Sequence, residues 1–291
     1  MIQPKKSRIQ TRVRFAKRVL PRVQGTEVRL RLLSYNIQTG IATTRPHHYI
    51  TYTWRHFLPH AETIGNLDSI ASLITPYDVV ALQEVDAGSL RTNFINQIQY
   101  LAHQAGFPYW HWQTNRDLGK FAQVSLGILS RLEPTEIRGY RLPGAIPGRG
   151  ALMARFGDGP EALVLFVIHL ALGRRSRLRQ LAYLTEAINQ YRNVILMGDM
   201  NCQSSSPEMQ KLLANTQLRK PGKGLHTFPS WRPNRHIDHI LVSHSLQVTQ
   251  EAVLQKSLSD HLPMTVEILA PIHLAPGYLQ NRPYCIIGPN R

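Results

Sequence analysis

The chain has 291 residues, 43% of them hydrophobic, and its 34 Lys and Arg against 18 Asp and Glu give a formal net charge of +16. This length allows one or two domains with a sizeable core. No apolar run approaches the roughly 20 residues of a membrane span, which excludes a transmembrane helix. A charge this positive indicates a polyanionic partner.

Half of the surplus positive charge lies before the first acidic residue, Glu27. We predict a basic, flexible tail over residues 1–27. Four interpretations of this tail stay open: a nucleic-acid arm, a contact for anionic lipid, a mitochondrial-type targeting peptide and a merely solvated tail. Two cysteines, Cys202 and Cys285, form no metal-type pair and are consistent with a reducing compartment. We therefore expect a cytoplasmic location, with organelle targeting left open.

Apolar runs and helical patterns alternate along the rest of the chain. Strands are predicted at 28–36, 79–84, 124–129, 151–156, 162–169, 194–198, 237–242, 246–254 and 262–269, and helices at 66–74, 89–106, 174–191 and 207–213. Many neighbouring strands are too close for helical crossovers, which favours mixed sheets with outer helices. We predict one α/β domain over residues 28–270, a two-sheet mixed β-sandwich in four layers (α/β/β/α). Residues 271–291 contain several prolines and are predicted to be an irregular tail.

Polar residues suited to phosphate or metal chemistry recur where the predicted strands end. The set is Asn36, Glu84, His169, Asp199 with Asn201, Asp238, and the Ser259–Asp260–His261 cluster that precedes the last run. At any single position such a residue more often makes a turn or caps a helix. Because they recur at the ends of buried strands, we predict that they share one site.

The segments SYNIQ, LQEVD, LSR, IHL, GDMN, IDHIL and SDHLP follow one another between about residues 30 and 270. In this order they resemble the metal-dependent endonuclease/exonuclease/phosphatase superfamily, which includes deoxyribonuclease-like nucleases, AP endonucleases, sphingomyelinases and inositol-polyphosphate 5-phosphatases. Hydrolysis of a phosphate ester requires a metal ion that neutralises charge, an activated water and donors around the phosphoryl oxygens. Hard oxygen ligands indicate Mg²⁺ or Mn²⁺.

The resemblance implies a metal site and a phosphate site. Glu84 would be the principal metal ligand, with Asn36 and Asp260 near the ion directly or through water. The other roles fall on five residues that the resemblance places around the phosphate, His169, Asp199, Asn201, Asp238 and His261.

Asp199 would orient or deprotonate the attacking water, and Asn201 would hold Asp199 and a phosphoryl oxygen. His169 would donate to the phosphate. His261, oriented by Asp238, would contact the phosphate or act as the base. Whether Asp199 or His261 is the base stays open. AP endonucleases tend to have Tyr where His169 stands, so abasic-site repair is disfavoured.

Two stretches interleave aromatic residues with arginine, FPYWHWQTNR with Trp110 and Arg116, and TFPSWRPNR with Trp231. Such residues can stack on bases and hold phosphates, and packing in the core is the equal alternative. Arg149 is a further candidate to contact phosphate, with an ordinary surface position as its alternative. The histidine-rich segment 47–60 is expected to wall the pocket or to pack on the core, and zinc binding by it is the less favoured interpretation.

The sequence therefore predicts a divalent-metal-dependent phosphodiester hydrolase, first of all a nuclease that acts on DNA or RNA by in-line attack of water. A lipid or inositol-phosphate phosphohydrolase, sphingomyelinase-like or 5-phosphatase-like, is the alternative. A non-catalytic basic adaptor is disfavoured by the intact set of acidic and histidine residues. Nucleic acid is the expected partner, an anionic membrane surface is the other possibility, and the oligomeric state stays open.

Overall fold

A computed structural model describes residues 27–43, 45, 61–144, 148–222 and 225–271. The strands are β1 Glu27–Asn36, β2 Val79–Asp86, β3 Tyr109–Asp117, β4 Gln123–Ser130, β5 Glu136–Arg141, β6 Gly150–Phe156, β7 Leu163–His169, β8 Asn193–Asp199, β9 Leu218–Arg219, β10 Asp238–Ser243, β11 Gln247–Val253 and β12 Met264–Pro271. The helices are α1 Ala61–Ile74, α2 Gln97–Ala105, α3 Arg174–Ile188 and α4 Pro207–Ala214. None of these four helices combines the length and apolar character of a membrane span.

The predicted tails and the histidine-rich segment fall largely outside this description. Residues 1–26, 46–60 and 272–291 are not among the described residues. The two terminal residues that are described, Glu27 and Pro271, pair with each other across β1 and β12. Strand β1 therefore begins one residue before the predicted strand at 28–36, and β12 ends two residues after the predicted strand at 262–269.

The strands form two mixed six-stranded sheets. The first sheet has the order β11-β12-β1-β2-β4-β3, and the second has the order β5-β6-β7-β8-β10-β9. One parallel pair lies in each sheet, β1 with β2 and β7 with β8. Parallel neighbours need a crossover, which α1 provides in the first sheet and α3 in the second. The carboxyl ends of all four parallel strands consequently carry loops.

Alternate side chains of the strands enter different apolar layers. In β1, Leu32 faces the core between the two sheets, whereas Leu33 faces the layer beneath α1 and α2. Met197 and Leu196 divide β8 in the same way, with Leu196 beneath α3 and α4. Helices therefore cover both outer faces, and the predicted four-layer sandwich is confirmed.

Strands β3, β5 and β9 were not among the predicted strands, and one predicted helix begins later than expected. Residues 109–117, which were predicted only as part of an aromatic and basic stretch, form strand β3, which pairs with β4. The helix predicted at 89–106 begins at Gln97, because Asn96 caps it: the Asn96 Oδ1 accepts bonds of 3.1 Å from the amides of Ile98 and Gln99. Residues 88–92 instead fold around the buried carboxylate of Asp86, which accepts from the amides of Gly88 and Ser89.

Arg131 fastens the helical layer to the first sheet. Its side chain is buried, and the guanidinium donates to the carbonyls of Thr75 and Tyr77 after α1 and of Ala105 and Gly106 at the end of α2, at 2.8 to 3.2 Å. Carbonyls at helix ends lack partners within the helix and carry partial negative charge, so a buried cation satisfies both helices at once.

The substitution Arg131→Met is expected to lower the free energy of unfolding by about 3–5 kcal/mol, because it leaves several buried carbonyls without their donor. Urea unfolding followed by circular dichroism measures the loss. Arg141→Met, at an exposed arginine, is the matched control and should change stability by less than about 0.5 kcal/mol. Equal effects of the two substitutions would contradict this role.

Three buried histidines predict how stability changes with pH. Burial is the largest cause that lowers the pKa of His111 and His239 to about 4 and that of His236 to about 3. The unfolded chain takes up protons on these rings below pH 6.5 and the folded chain does not. The free energy of unfolding should therefore fall as pH drops from about 6.5 to about 4. In urea unfolding at several pH values, His111→Gln should flatten this fall, whereas His103→Gln at an exposed position should not.

Candidate active site at the strand ends

Carboxyl ends of parallel strands from both sheets meet at one edge of the sandwich, called here the catalytic edge. Asn36 is the last residue of β1, and His169 and Asp199 are the last residues of β7 and β8. The register of the second sheet sets His169 beside Asp199, and Asp199 beside Asp238 at the start of β10. All four side chains are buried. Strand register thus fixes their positions before any side-chain contact is considered.

Glu84 reaches the catalytic edge through an irregularity in β2. The pairing of β2 with β4 shifts register between Leu82 and Val85, and Glu84 has a φ of 54°. A positive φ is unfavourable for glutamate, and a bulge of this kind re-aims a side chain. The Thr39 Oγ donates to the Glu84 carbonyl at 3.1 Å and holds the turn. The Glu84 side chain is one third exposed, more than any other ionisable group in the cluster.

Four side chains form the centre of the site. The Asn36 Nδ2 lies 3.2 Å from Glu84 Oε1 and 3.2 Å from Asp199 Oδ2. The His169 Nε2 lies 3.4 Å from the same Asp199 oxygen and 3.8 Å from the same Glu84 oxygen. The amide of Gln38 donates to Asn36 Oδ1 at 3.1 Å and so fixes the orientation of the carboxamide. Groups from both sheets therefore converge on one small volume.

The turn after β8 positions Asp199. The backbone amide of Asn201 donates to Asp199 Oδ1 at 2.9 Å, and the Asn201 side chain donates to the Leu170 carbonyl at 3.0 Å. The sequence assigned the support of Asp199 to Asn201, and the backbone supplies it while the carboxamide ties β7 to β8. Gly198 has a φ of 143°, and a Cβ there would lie 2.0 Å from the Ile168 carbonyl oxygen. Only glycine permits this close approach of the two strands.

His261 and Asp238 form a second, adjoining pair. The His261 Nδ1 lies 2.8 Å from Asp238 Oδ2, and the Thr227 hydroxyl donates to the same oxygen. The other ring nitrogen of His261 lies 3.9 Å from Asp199 Oδ2. His261 therefore stands between two carboxylates. The sequence missed Thr227, which is eleven residues from Asp238 and joins it only through the fold.

The loop before β12 brings Asp260 and His261 to the same edge. Ser259 Oγ donates to the Asn36 carbonyl at 2.6 Å and accepts from the His261 amide at 3.0 Å. The Ser230 amide donates to the Asp260 carbonyl at 2.7 Å. Asp260 is itself buried and lies near enough to His261 for its charge to raise the pKa of that ring. Backbone and hydroxyl contacts, rather than a regular element, hold this part of the site.

Burial and charge set the protonation of the three central groups. Burial raises the pKa of Asp199 to about 7, with Asp238 and Glu84 adding to the rise and His261 opposing it. Burial lowers the pKa of His261, but Asp238, Asp199 and Asp260 outweigh it and raise the pKa to about 10. Burial, then the charges of Arg149 and His261, keep the pKa of His169 well below its ordinary value. At neutral pH, His261 is a cation and His169 is a neutral ring.

Comparison with known proteins identifies the family. Residues 33–261 match the sequence profile described as the Endonuclease/Exonuclease/phosphatase family. The chain belongs to this family. Its members are phosphoester hydrolases.

Solved structures share the fold of this family member at low identity. An endonuclease/exonuclease/phosphatase family protein from Bacteroides thetaiotaomicron superposes with a TM-score of 0.62 at 17% identity, over 84% of this chain and 98% of its own. A mannosyl-6-phosphatase from the same organism gives 0.60 at 18%, over 82% and 99%. Humanised TDP2 from D. rerio gives 0.59 at 16%, over 82% and 98%. No curated protein sequence matches the chain.

The two arginines predicted to contact phosphate lie beside the cluster. Arg149 is half-buried, and burial lowers its pKa while the charges of Glu84 and Asp199 act against that effect, so it lies within electrostatic reach of both carboxylates. Arg116 is exposed, and its side chain packs against Gly148, the neighbour of Arg149. Both arginines therefore border the catalytic edge of this family member.

The two predicted tryptophans have different positions. Trp231 is half-buried in the loop that contains Ser230, the partner of Asp260. Trp110 is only 5% exposed, packs in the layer beneath α2, and has its ring 5.2 Å from that of His103. The expectation that Trp110 contacts substrate is wrong, because its face of β3 points into the core.

The donors of this family member fit a hard divalent cation. Glu84 and Asp199 present carboxylate oxygens to one amide nitrogen, and such converging carboxylates repel unless positive charge lies near them. Asp199, Asp238 and His261 also place potential ligand atoms within 4.8 Å of one another. Within that group, however, Asp238 Oδ2 already contacts His261 Nδ1 and accepts a hydrogen bond from Thr227. The carboxylate of Glu84 is more exposed than those of Asp199 and Asp238.

Proposed function

We propose that this chain is a divalent-metal-dependent phosphodiester hydrolase. The observation that carries the proposal is the convergence of Asn36, Glu84, His169 and Asp199 from both sheets, with neighbouring polar atoms 3.2 to 3.8 Å apart. Buried carboxylates, a neutral imidazole and a cationic imidazole side by side are costly to assemble and serve no packing need. The family to which the chain belongs hydrolyses phosphoesters, which agrees with this chemistry.

Glu84 would hold Mg²⁺ or Mn²⁺, with Asp260 close to the ion directly or through water. Asn36, whose Nδ2 points to Glu84 and Asp199, would hold these two carboxylates beside the ion. When bound, the ion supplies positive charge that offsets the negative charge developing on the phosphoryl group. The protein side chains provide the remainder. Arg149, which interacts electrostatically with Glu84 and Asp199, would contact a non-bridging phosphoryl oxygen.

Asp199 would accept the proton of the attacking water, since the Asn201 amide and the Asn36 carboxamide fix both of its oxygens. His169 would donate a hydrogen bond to the phosphoryl group. His261 stands between Asp199 and Asp238, so both carboxylates favour its protonated form, and it would donate to the phosphate. This placement supports Asp199, rather than His261, as the base.

Nucleic acid is the substrate class that charge supports. The net charge is +16, and Arg116 and Arg149 border the catalytic edge where a chain of phosphates could pass. A phospholipid is the second candidate. It is favoured by exposed apolar side chains on the loops of the same edge.

A substrate panel tests the proposal. Purified protein with Mg²⁺, Mn²⁺ or EDTA is assayed on single- and double-stranded DNA, RNA, sphingomyelin, phosphatidylglycerol and inositol phosphates. We expect metal-dependent cleavage of a phosphodiester, steeply weakened by salt if the substrate is nucleic acid. Absence of metal-dependent cleavage on every substrate would refute a hydrolase and leave the basic adaptor. Cleavage of inositol phosphates alone would indicate a monoesterase.

A further inference from the structure

Large hydrophobic side chains are exposed on the loops of the catalytic edge. In the described part of the chain the exposed set is Ile64, Phe94, Leu118, Phe121, Leu172 and Leu225. Ile64 lies in the first turn of α1 and Leu225 lies between β9 and β10, whereas Phe94, Leu118, Phe121 and Leu172 lie on the loops that follow β2, β3 and β7 at the catalytic edge. Single exposed hydrophobic residues are ordinary, but their concentration at one edge marks an interaction surface. We call Phe94, Leu118, Phe121 and Leu172 the apolar rim.

Three members of the apolar rim lie on two loops that are bonded to each other. The amide of Leu90 donates to the Lys120 carbonyl at 2.7 Å, and that of Ala87 donates to the Gln123 carbonyl at 3.3 Å. Phe94 is on the first loop and is 60% exposed, and Phe121 is on the second and is 65% exposed. The two loops therefore form one fixed surface beside β2, which carries Glu84.

The backbone holds Phe94 outward at a cost. Asn93 and Phe94 both have positive φ, at 52° and 60°, and the Phe94 amide donates to the Ser89 carbonyl at 2.8 Å. Left-handed backbone is unfavourable for phenylalanine, and exposure of the ring adds to that cost. Because 60% of Phe94 is exposed, packing within the protein offsets only part of this cost, and the ring is suited to a partner.

Leu172 extends the rim to the second sheet. It lies three residues after His169 and is 76% exposed. Its turn is anchored, because the Arg177 guanidinium donates to the carbonyls of Ala171 and Leu172 and the Leu170 amide donates to the Asp199 carbonyl at 2.9 Å. A rigid turn thus presents an exposed leucine on the opposite side of the site from Phe94.

Basic residues lie next to the apolar rim. Lys120 lies between Leu118 and Phe121, and Arg174 and Arg175 follow Leu172 at the start of α3. Cations at a helix amino end are electrostatically unfavourable, and α3 has no acidic residue in its first turn and no side-chain cap. Arg174 has Glu208 at 3.6 Å, whereas Arg175 is exposed. An anionic partner would compensate this arrangement.

The side chains of the apolar rim favour one class of polyanionic partner over another. Nucleic acid is held by aromatic or guanidinium stacking on bases, which Leu118 and Leu172 cannot provide. Separate protruding loops with aliphatic and aromatic tips, backed by Lys and Arg, suit insertion at the boundary between headgroups and acyl chains. We propose that the apolar rim docks on an anionic phospholipid bilayer, with the catalytic edge facing the headgroups. The docking does not depend on which phosphodiester the site cleaves.

Vesicle sedimentation tests the docking. Full-length protein in EDTA is mixed with sucrose-loaded vesicles of phosphatidylcholine, with or without phosphatidylglycerol. We expect binding to the anionic vesicles, weakened about tenfold or more by Phe94→Ser combined with Phe121→Ser, since two inserted rings are lost. Lys120→Gln combined with Arg175→Gln should weaken it roughly tenfold and reduce its salt dependence. The basic residues 1–26 are present in every protein, so the differences report on the rim.

Matched substitutions at the opposite edge serve as controls. Tyr109→Ser at the start of β3 and Arg192→Gln before β8 should leave vesicle binding unchanged. Circular dichroism melting verifies that each variant is folded. Vesicle binding that is absent, or equal in the rim variants, would overturn the proposal. So would loss of single-stranded oligonucleotide binding in Phe94→Ser with Phe121→Ser while vesicle binding persists, because the rim would then be a nucleic-acid surface. Glu84→Gln should bind vesicles normally, which separates docking from catalysis.

Discussion

Glu84→Gln should reduce metal-dependent turnover by about three orders of magnitude or more while the protein stays folded. The substitution keeps the oxygen that Asn36 contacts at 3.2 Å and removes one negative charge from the ligand set. Asp199 then loses a neighbouring carboxylate that contributes to its raised pKa. In EDTA, the melting temperature of the variant should equal or exceed that of the wild type, since repulsion between two converging carboxylates is relieved.

Thermal shift in the presence of Mg²⁺ or Mn²⁺ separates loss of the ion from loss of chemistry. A ligand that binds only the folded state raises the melting temperature. The wild type should show this rise and Glu84→Gln should not. Glu186→Gln, at an exposed carboxylate on α3, is the matched control and should retain both turnover and the shift. A variant with wild-type turnover, or with an unchanged metal shift, would assign the ion to other ligands.

Most of the candidate site could be predicted because buried strands leave their polar ends in recognisable positions. Asn36, His169 and Asp199 each close an apolar run, and the carboxyl ends of parallel strands necessarily meet at an edge. The four-layer arrangement followed from the number and spacing of the runs. Pairing order and register, which place His169 beside Asp199, depend on contacts between distant segments and had no local signal.

Local patterns failed where tertiary contacts decide a side chain's direction. Trp110 lies in an aromatic and basic stretch that suggests a stacking surface, yet alternation along β3 turns it into the core while Arg116 is exposed. The sequence LQEVD gives no sign of the bulge at Glu84, although this bulge sets the direction of the Glu84 carboxylate. The apolar rim could not be predicted either, because the sequence does not show whether an apolar residue in a loop is buried or exposed.

Asp238→Asn is expected to lower turnover by about two to four orders of magnitude, because a carboxylate behind an imidazole fixes its tautomer and favours its charged form. Asparagine can preserve the shape of the contact at 2.8 Å but not its charge. With Asp238 neutral, burial opposes protonation of His261 more effectively. The pKa of His261, about 10 in the wild type, should therefore fall toward or below its ordinary value.

The sign of the stability effect follows from the same shift. The folded-state pKa of His261 lies above its unfolded value, so its stabilising contribution is complete below about pH 6.5 and is lost as pH rises through about 10. In metal-free Asp238→Asn, this decline between about pH 6.5 and 10 should disappear, together with the stability that His261 contributes at neutral pH. Urea unfolding across this range measures the difference.

Nuclear magnetic resonance titration of the His261 ring in metal-free protein measures its pKa. This pKa would not change if Asp238 had a purely structural role. Asp117→Asn, at an exposed acid in the β3–β4 hairpin, is the control and should leave the ring and turnover unchanged. Thr227→Val removes a donor to Asp238 Oδ2 but keeps the carboxylate, so His261 should stay cationic and turnover should fall far less. If Asp238→Asn left the His261 pKa near 10, Asp199 and Asp260 alone would suffice to hold the proton. Asp238 would then act only as a packing and hydrogen-bonding residue.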